Sequence, residues 1–127
     1  MGRKLYPRYL IASRMHGPFH LTHGAVKSLE GPGIYFLGAP AEDGGFVVCY
    51  VGRADDLTQR LRRWVGQREV FWFRSTESGN GSFFAECTEF HRYGKTLHLD
   101  NRIHPARPPG SRLPLCSRKG CLGEPCE

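Results

Sequence analysis

The chain has 127 residues, and its 18 Lys and Arg against 12 Asp and Glu give a formal net charge of +6. This length supports one domain with a core large enough to fold without disulfides, and an apolar content of 39% excludes a disordered chain. No apolar run approaches the ~18 residues of a membrane span, and we expect a cytoplasmic protein that does not bind membranes. The basic balance favours a polyanionic partner, with nucleic acid the first candidate.

The excess positive charge lies at the two ends of the chain. Residues 1–30 hold five basic groups and one acidic group, and residues 98–127 hold five against three, whereas residues 31–97 hold eight of each. We therefore predict a basic N-terminal segment (1–30), a neutral module (31–101) and a tail rich in Pro, Arg and Cys (102–127).

Two apolar segments separated by turn residues predict a β-hairpin. Residues 33–37 and 46–51 are rich in β-branched and aromatic side chains, and residues 38–45 between them contain three glycines and a proline. Such turn residues between two strand-like segments are typical of a hairpin with a loose loop.

The following segments predict two helices and a third strand. Residues 57–65 carry apolar side chains at helical spacing, follow Asp55 and Asp56 as candidate N-caps, and end at Gly66. Residues 70–76 have the composition of a strand, and a second helix is expected from Ser82 onward. Residues 19–29 suggest only a short helix. The sequence thus predicts an α+β fold, a small β-β-α-β-α sandwich with a three-stranded antiparallel sheet flanked by helices and irregular basic N- and C-terminal arms.

Each predicted helix places one charged residue at the margin of its apolar face. Arg60 lies about 85° from the centre of the first apolar face, and Glu86 lies about 90° from the centre of the second. Glu89, at about 150°, is expected to face solvent. An arginine that extends its head into water, or an exposed ion pair, would also explain these positions.

Two tyrosines lie on the predicted hairpin, Tyr35 on its first strand and Tyr50 on its second. Taken singly, each is an ordinary half-buried packing residue. Together with Arg60 and Glu86 they supply what phosphodiester hydrolysis requires: a base for the attacking water, a cation for the phosphate charge and a metal ligand.

These residues resemble the GIY-YIG endonuclease superfamily. Gly33-Ile-Tyr35 matches its first motif, and Tyr50-Val-Gly52 matches the second with Val in place of the usual Ile. Residues 50–61 are similar to the nuclease module in the incision subunit of bacterial nucleotide excision repair, and residues 83–90 resemble the helix that carries the metal-binding glutamate. The resemblance covers roughly residues 31–101.

The resemblance implies a metal-dependent endonuclease that hydrolyses DNA, with RNA not excluded. Tyr35 and Tyr50 would lie near the attacking water, Arg60 would stabilise the scissile phosphate, and Glu86 would bind one Mg²⁺ or Mn²⁺. A tyrosine base needs its pKa lowered, and Arg53 and the metal are the expected sources of positive charge. A single site nicks one strand, so cleavage of both strands would need a homodimer or two binding events.

Other residues are expected to assist in binding DNA. Arg53 occupies a position where some relatives have Lys, and Arg62 and Arg63 follow Arg60 on the same predicted helix. Asn101 corresponds to an asparagine that follows the glutamate helix in the superfamily. Many members carry His four residues beyond the arginine, whereas this chain has Trp64, which we interpret as core packing.

The tail contains three of the five cysteines, Cys116, Cys121 and Cys126. Their spacing is compatible with a zinc-binding turn, although a complete site would need His98, His104 or another chain. The alternative is a reduced, unstructured tail. Cys49 and Cys87 lie in apolar segments and are expected to be buried.

Two other functions remain open from the sequence. A non-catalytic nucleic-acid-binding module on a nuclease-like scaffold would use the basic arms, and it would bind DNA in a salt-sensitive manner without cleaving it. A protein-interaction domain stabilised by zinc is the third reading.

Overall fold

The computed structural model describes residues 5–77 and 79–101. Within these residues, a 3-10 turn at Ile11–Ser13 precedes four strands and four helices, in the order β1 (His16–His20), α1 (His23–Val26), β2 (Gly33–Pro40), β3 (Phe46–Ala54), α2 (Leu57–Arg62), β4 (Val70–Ser75), α3 (Gly79–Arg92) and α4 (Lys95–His98). The α+β class and the predicted order from β2 to α3 are confirmed.

The sheet has four antiparallel strands in the order β1-β4-β2-β3, one strand more than the sequence predicted. The additional strand, β1, lies in the N-terminal segment that we expected to be irregular. Its sequence, His-Gly-Pro-Phe-His, contains Gly and Pro and has no apolar alternation, which is tolerated only at a sheet edge. All five of its residues are exposed, so no burial pattern marks it.

The predicted hairpin is confirmed as β2 and β3, which pair in antiparallel register with Tyr35 opposite Gly52 and Leu37 opposite Tyr50. Because strand side chains alternate between faces, the sheet has two apolar faces. Ile34, Phe36 and Trp72 form one core with Phe90 and Tyr93 of the α3 region. The other core is formed by Tyr35, Leu37 and Phe71 with Leu57 and Leu61 of α2.

The outer edge of β3 is covered by both ends of the described chain. The backbone N–H of Tyr9 donates to the carbonyl of Phe46 at 3.0 Å, and the N–H of Val48 donates to Pro7 at 2.8 Å. Further along, the N–H of Asp100 donates to the carbonyl of Cys49 at 2.7 Å. An uncovered edge would present a row of unpaired backbone groups, so these segments complete the sheet.

The helices differ from prediction in three details. α2 ends at Arg62, so Trp64 lies in the turn that follows. α3 already includes Gly79, and Ser82 is a buried residue within it rather than its N-cap. Glu89 is only 2% exposed and accepts a hydrogen bond from Ser13 Oγ at 3.0 Å, so the prediction that it faces solvent is wrong. The N-terminal segment that covers this side of α3 was not foreseen.

Within the part of the chain that the structure describes, no helix combines the length and apolar character needed to cross a membrane.

Candidate active site

The two motif tyrosines lie side by side on adjacent strands. The rings of Tyr35 and Tyr50 are stacked, with centroids 6.2 Å apart and planes inclined by 21°. Gly52 lies opposite Tyr35, and a Cβ atom at this position would overlap the Tyr35 ring and its hydroxyl group. The glycine of the second motif therefore leaves the space in which the tyrosine of the first motif lies.

Trp64 contacts both tyrosines. Its indole Nε1 donates a hydrogen bond to Tyr35 Oη at 3.2 Å, and its ring lies 5.0 Å from that of Tyr50. We had interpreted Trp64 as core packing alone, and the structure adds a polar contact within the site. The signal available in the sequence was its position, four residues after Arg60.

Burial governs the acidity of both phenols. Burial raises the pKa of Tyr35 well above its ordinary value, as does the neighbouring Tyr50, while hydrogen bonding from Trp64 and the charge of Arg60 oppose the rise. The pKa of Tyr50 is also raised by burial and by Glu86, against Arg60 and a hydrogen bond from Tyr35. Arg53 and the metal were the expected sources of positive charge, and the structure adds Arg60, whose charge lowers the pKa of both phenols.

Arg60 belongs to the last turn of α2 and its side chain is exposed. Its charge lowers the pKa of Tyr35, Tyr50 and Glu86 against the effect of burial. The same guanidinium thus acts on three of the predicted site residues and is accessible to an anion from solvent. Arg62 and Arg63, which follow it, are exposed as well.

Glu86 lies on α3 and is 7% exposed. Its Oε1 accepts a hydrogen bond from Arg53 Nη1 at 3.1 Å, and the Arg53 guanidinium lies 5.2 Å from the centre of the Phe83 ring. Burial raises the pKa of Glu86 to about 7, although Arg53 and Arg60 both oppose this rise. The carboxyl group therefore changes charge near neutral pH, and a nearby cation favours its ionised form.

Asn101 has a structural contact that the sequence did not predict. Its Oδ1 accepts from the N–H of Val51 at 3.0 Å, and its Nδ2 donates to the carbonyl of Val51 at 2.6 Å. Because both ends of the amide are engaged and the residue is 7% exposed, Asn101 anchors β3 between the two motif residues Tyr50 and Gly52. We had expected it to bind DNA, and its observed contacts are with the protein backbone.

Most of the expected zinc ligands lie outside the residues that the structure describes. Cys116, Cys121, Cys126 and His104 lie outside the described residues, and His98 is a half-buried residue of α4. Among residues 5–77 and 79–101, no group of three His, Cys, Asp or Glu residues is arranged to hold a metal ion. Cys49 and Cys87 are free and buried, as predicted.

No protein-family model matches the chain, no curated protein matches it, and no solved structure matches it.

Proposed function

We propose that this protein is a metal-dependent endonuclease of the GIY-YIG type that hydrolyses phosphodiester bonds of DNA. The observation that carries this proposal is the grouping of Tyr35, Tyr50 and Glu86 around the charge of the exposed Arg60. Phenol, carboxylate and guanidinium groups held together on a rigid frame are suited to in-line attack on a phosphate.

The exposed arginine is the group best placed to contact the scissile phosphate. Arg60 is reachable from solvent, whereas Arg53 is engaged with Glu86 and lies over Phe83. A guanidinium aimed at an oxygen where negative charge develops stabilises the transition state, and the loss of one such donor typically slows a reaction by about 100- to 1,000-fold.

The two phenols differ in access. Tyr35 is 1% exposed and accepts the indole hydrogen bond, whereas Tyr50 is half-buried. Tyr50 is therefore the phenol more accessible to a water molecule, and the buried Tyr35 packs against it on the side away from solvent. The raised pKa values mean that neither phenol would act as a base at neutral pH without additional positive charge.

Glu86 is the residue that would hold a divalent cation. Hard cations such as Mg²⁺ prefer carboxylate oxygens and retain several waters, so a single buried carboxylate beside phenol groups is compatible with such a site. A bound cation would supply positive charge that stabilises the phosphate and favours ionisation of a neighbouring phenol or water. Because the pKa of Glu86 is about 7, a metal ion can readily displace the proton of its carboxyl group at neutral pH.

The test is cleavage of supercoiled plasmid DNA by the full-length protein with Mg²⁺ or Mn²⁺. We expect nicking that EDTA abolishes and that Arg60→Ala or Glu86→Gln reduces by at least about 100-fold. Glu42→Gln is the matched control for Glu86→Gln because Glu42 is exposed and lies outside the proposed site. Cleavage that persists in both site variants would refute the assignment.

A non-catalytic nucleic-acid-binding module is the second candidate. The observation in its favour is that burial raises the pKa of both phenols and of Glu86, which keeps the phenols uncharged and Glu86 only partly ionised at neutral pH in the absence of further cations. This candidate predicts that DNA binding weakens steeply with salt and that no divalent metal supports cleavage.

A further inference from the structure

An exposed group of aromatic side chains lies on the sheet at the opposite end from β3. His16 and Phe19 of β1 lie beside Phe71 and Phe73 of β4, and we call these four residues the aromatic platform. Ring centroids are 5.2 Å apart for His16 and Phe73, 5.6 Å for Phe19 and Phe71, and 6.1 Å for Phe19 and Phe73. Phe71 is fully buried and forms the base of the platform, whereas the other members reach solvent: His16 is exposed, Phe19 is 44% exposed and Phe73 is half-buried.

The platform lies on the same face of the sheet as the motif tyrosines. Tyr35 pairs with Phe73 across β2 and β4, and Phe73 pairs with His16 across β4 and β1. Directly paired residues project to the same face, and adjacent strands are about 4.8 Å apart. His16 and Tyr35 therefore belong to one cross-strand row, with backbones separated by about 10 Å.

We propose that the aromatic platform stacks the unpaired bases of a single-stranded stretch of the DNA that the site acts on. This inference rests on the proposed nuclease function and specifies its substrate as DNA with a frayed, distorted or branched region. Aromatic faces bind successive bases without sequence preference, and each stacked base contributes substantially to affinity. An aliphatic patch of equal area would lack these flat faces.

The charge of the platform favours a nucleic acid. His16 is the polar member of the platform, and the exposed Arg14 lies two positions before it. α2 packs against the same face of the sheet through Leu57 and Leu61, and its end carries the exposed Arg60, Arg62 and Arg63. Residues 102–127 of the same chain are the other candidate to cover the platform. They contain five basic and two acidic residues and no Phe, Tyr or Trp, so they complement neither its charge nor its rings, whereas a DNA strand complements both.

The experiment measures binding of a short oligothymidylate that carries one 2-aminopurine, with the full-length protein in EDTA so that no cleavage is required. Stacking of 2-aminopurine on an aromatic ring quenches its fluorescence. We expect saturable quenching, and an affinity about tenfold lower for both Phe19→Ala and Phe19→Leu. Phe19→Trp should retain the binding, because it preserves an aromatic face.

Phe84→Ala is the matched control, since Phe84 is 48% exposed on α3, which packs against the other face of the sheet. Equal affinity for the oligothymidylate in wild type, Phe19→Ala and Phe84→Ala would overturn the proposal. So would a loss of affinity in Phe19→Ala that Phe19→Leu does not show, because that result indicates an apolar contact without stacking. Tighter binding of fully paired duplex than of the oligothymidylate would also contradict it. Because the readout is binding without metal, its failure is distinct from a failure of cleavage.

Discussion

The indole Nε1 of Trp64 donates its hydrogen bond to the hydroxyl oxygen of Tyr35 at 3.2 Å. Indole is a donor only, so this contact occupies one acceptor position of the phenol and leaves the Tyr35 proton to be donated elsewhere. The Tyr50 hydroxyl belongs to the neighbouring ring, which is stacked on that of Tyr35, and Tyr35 lowers the pKa of Tyr50. Because the Trp64 ring also contacts that of Tyr50, the three side chains form one contiguous group.

Trp64→Phe should lower the free energy of unfolding by about 1–3 kcal/mol, because it leaves the buried Tyr35 hydroxyl without its indole donor. Urea denaturation at pH 7 measures the change. In the nuclease assay the same variant should be slower at unchanged DNA affinity. An unchanged unfolding free energy would show that the indole N–H makes no net contribution.

Glu86→Gln should change the pH dependence of stability. The folded pKa is about 7 against an ordinary value of 4.5, so the folded protein binds more protons between these values and its unfolding free energy falls as pH rises from about 4.5 to 7. Glutamine does not titrate, so Glu86→Gln removes this pH-dependent loss of stability. We therefore expect the unfolding free energy of the variant to rise relative to that of the wild type as the pH increases, by roughly 3 kcal/mol above pH 7.

Denaturation curves for Glu86→Gln and for wild type at pH 5, 6, 7 and 8 provide the measurement. Glu42→Gln is the control, since Glu42 is an exposed residue of the loop between β2 and β3. A constant difference between wild type and Glu86→Gln over this range would contradict burial of a titrating carboxyl group.

Gly52→Ala should destabilise the fold, because the new Cβ would overlap the buried Tyr35 ring. Forcing extra atoms into a packed core typically costs about 1–3 kcal/mol, and displacement of Tyr35 should also abolish cleavage. Gly24→Ala is the control: nothing lies within 4 Å of a Cβ at that position, and alanine in the helix should be neutral or slightly stabilising. The thermal unfolding temperature should fall for Gly52→Ala and should stay unchanged or rise slightly for Gly24→Ala.

Asn101→Asp should destabilise the protein more than an exposed amide substitution such as Gln67→Glu. Aspartate retains the acceptor for Val51 N–H but loses the donor to Val51 C=O, and it places a charge at a residue that is 7% exposed. A buried group left without its partner costs about 1–3 kcal/mol. Hydrogen exchange of the Val51 amide, measured by NMR, should report loosening of β3 at this point.

Much of the fold followed from local pattern. The β-branched and aromatic runs of β2 and β3, and the helical spacing of Leu57 and Leu61, are strong local signals. All three elements begin at the predicted residue, while β2 and β3 run three residues further than predicted and α2 ends three residues earlier. β1 was missed because an exposed edge strand with Gly and Pro carries no apolar alternation. Pairing with β4 is a tertiary effect that the local sequence does not encode.

The candidate site, like the fold, was predicted only in part. Tyr35, Tyr50, Arg60 and Glu86 were selected from spacing, and the structure brings them into electrostatic contact. The environment of each group was not predictable. The burial that raises the pKa of Glu86 depends on how α3 packs against β3, and the partner of Asn101 depends on where the chain returns to that strand.

The closure of the β3 edge has a consequence for when the candidate site can form during synthesis of the chain. The strand that carries Tyr50 and Gly52 is bonded on its outer side by Pro7 and Tyr9 and again by Asp100 and Asn101, and the Tyr6 hydroxyl donates to Asp100 Oδ1 at 2.7 Å. Contacts so distant in sequence form late in folding. A nascent chain would complete the candidate site only after residue 101 has left the ribosome, so truncated or partly synthesised products would carry the motifs without the arrangement described above.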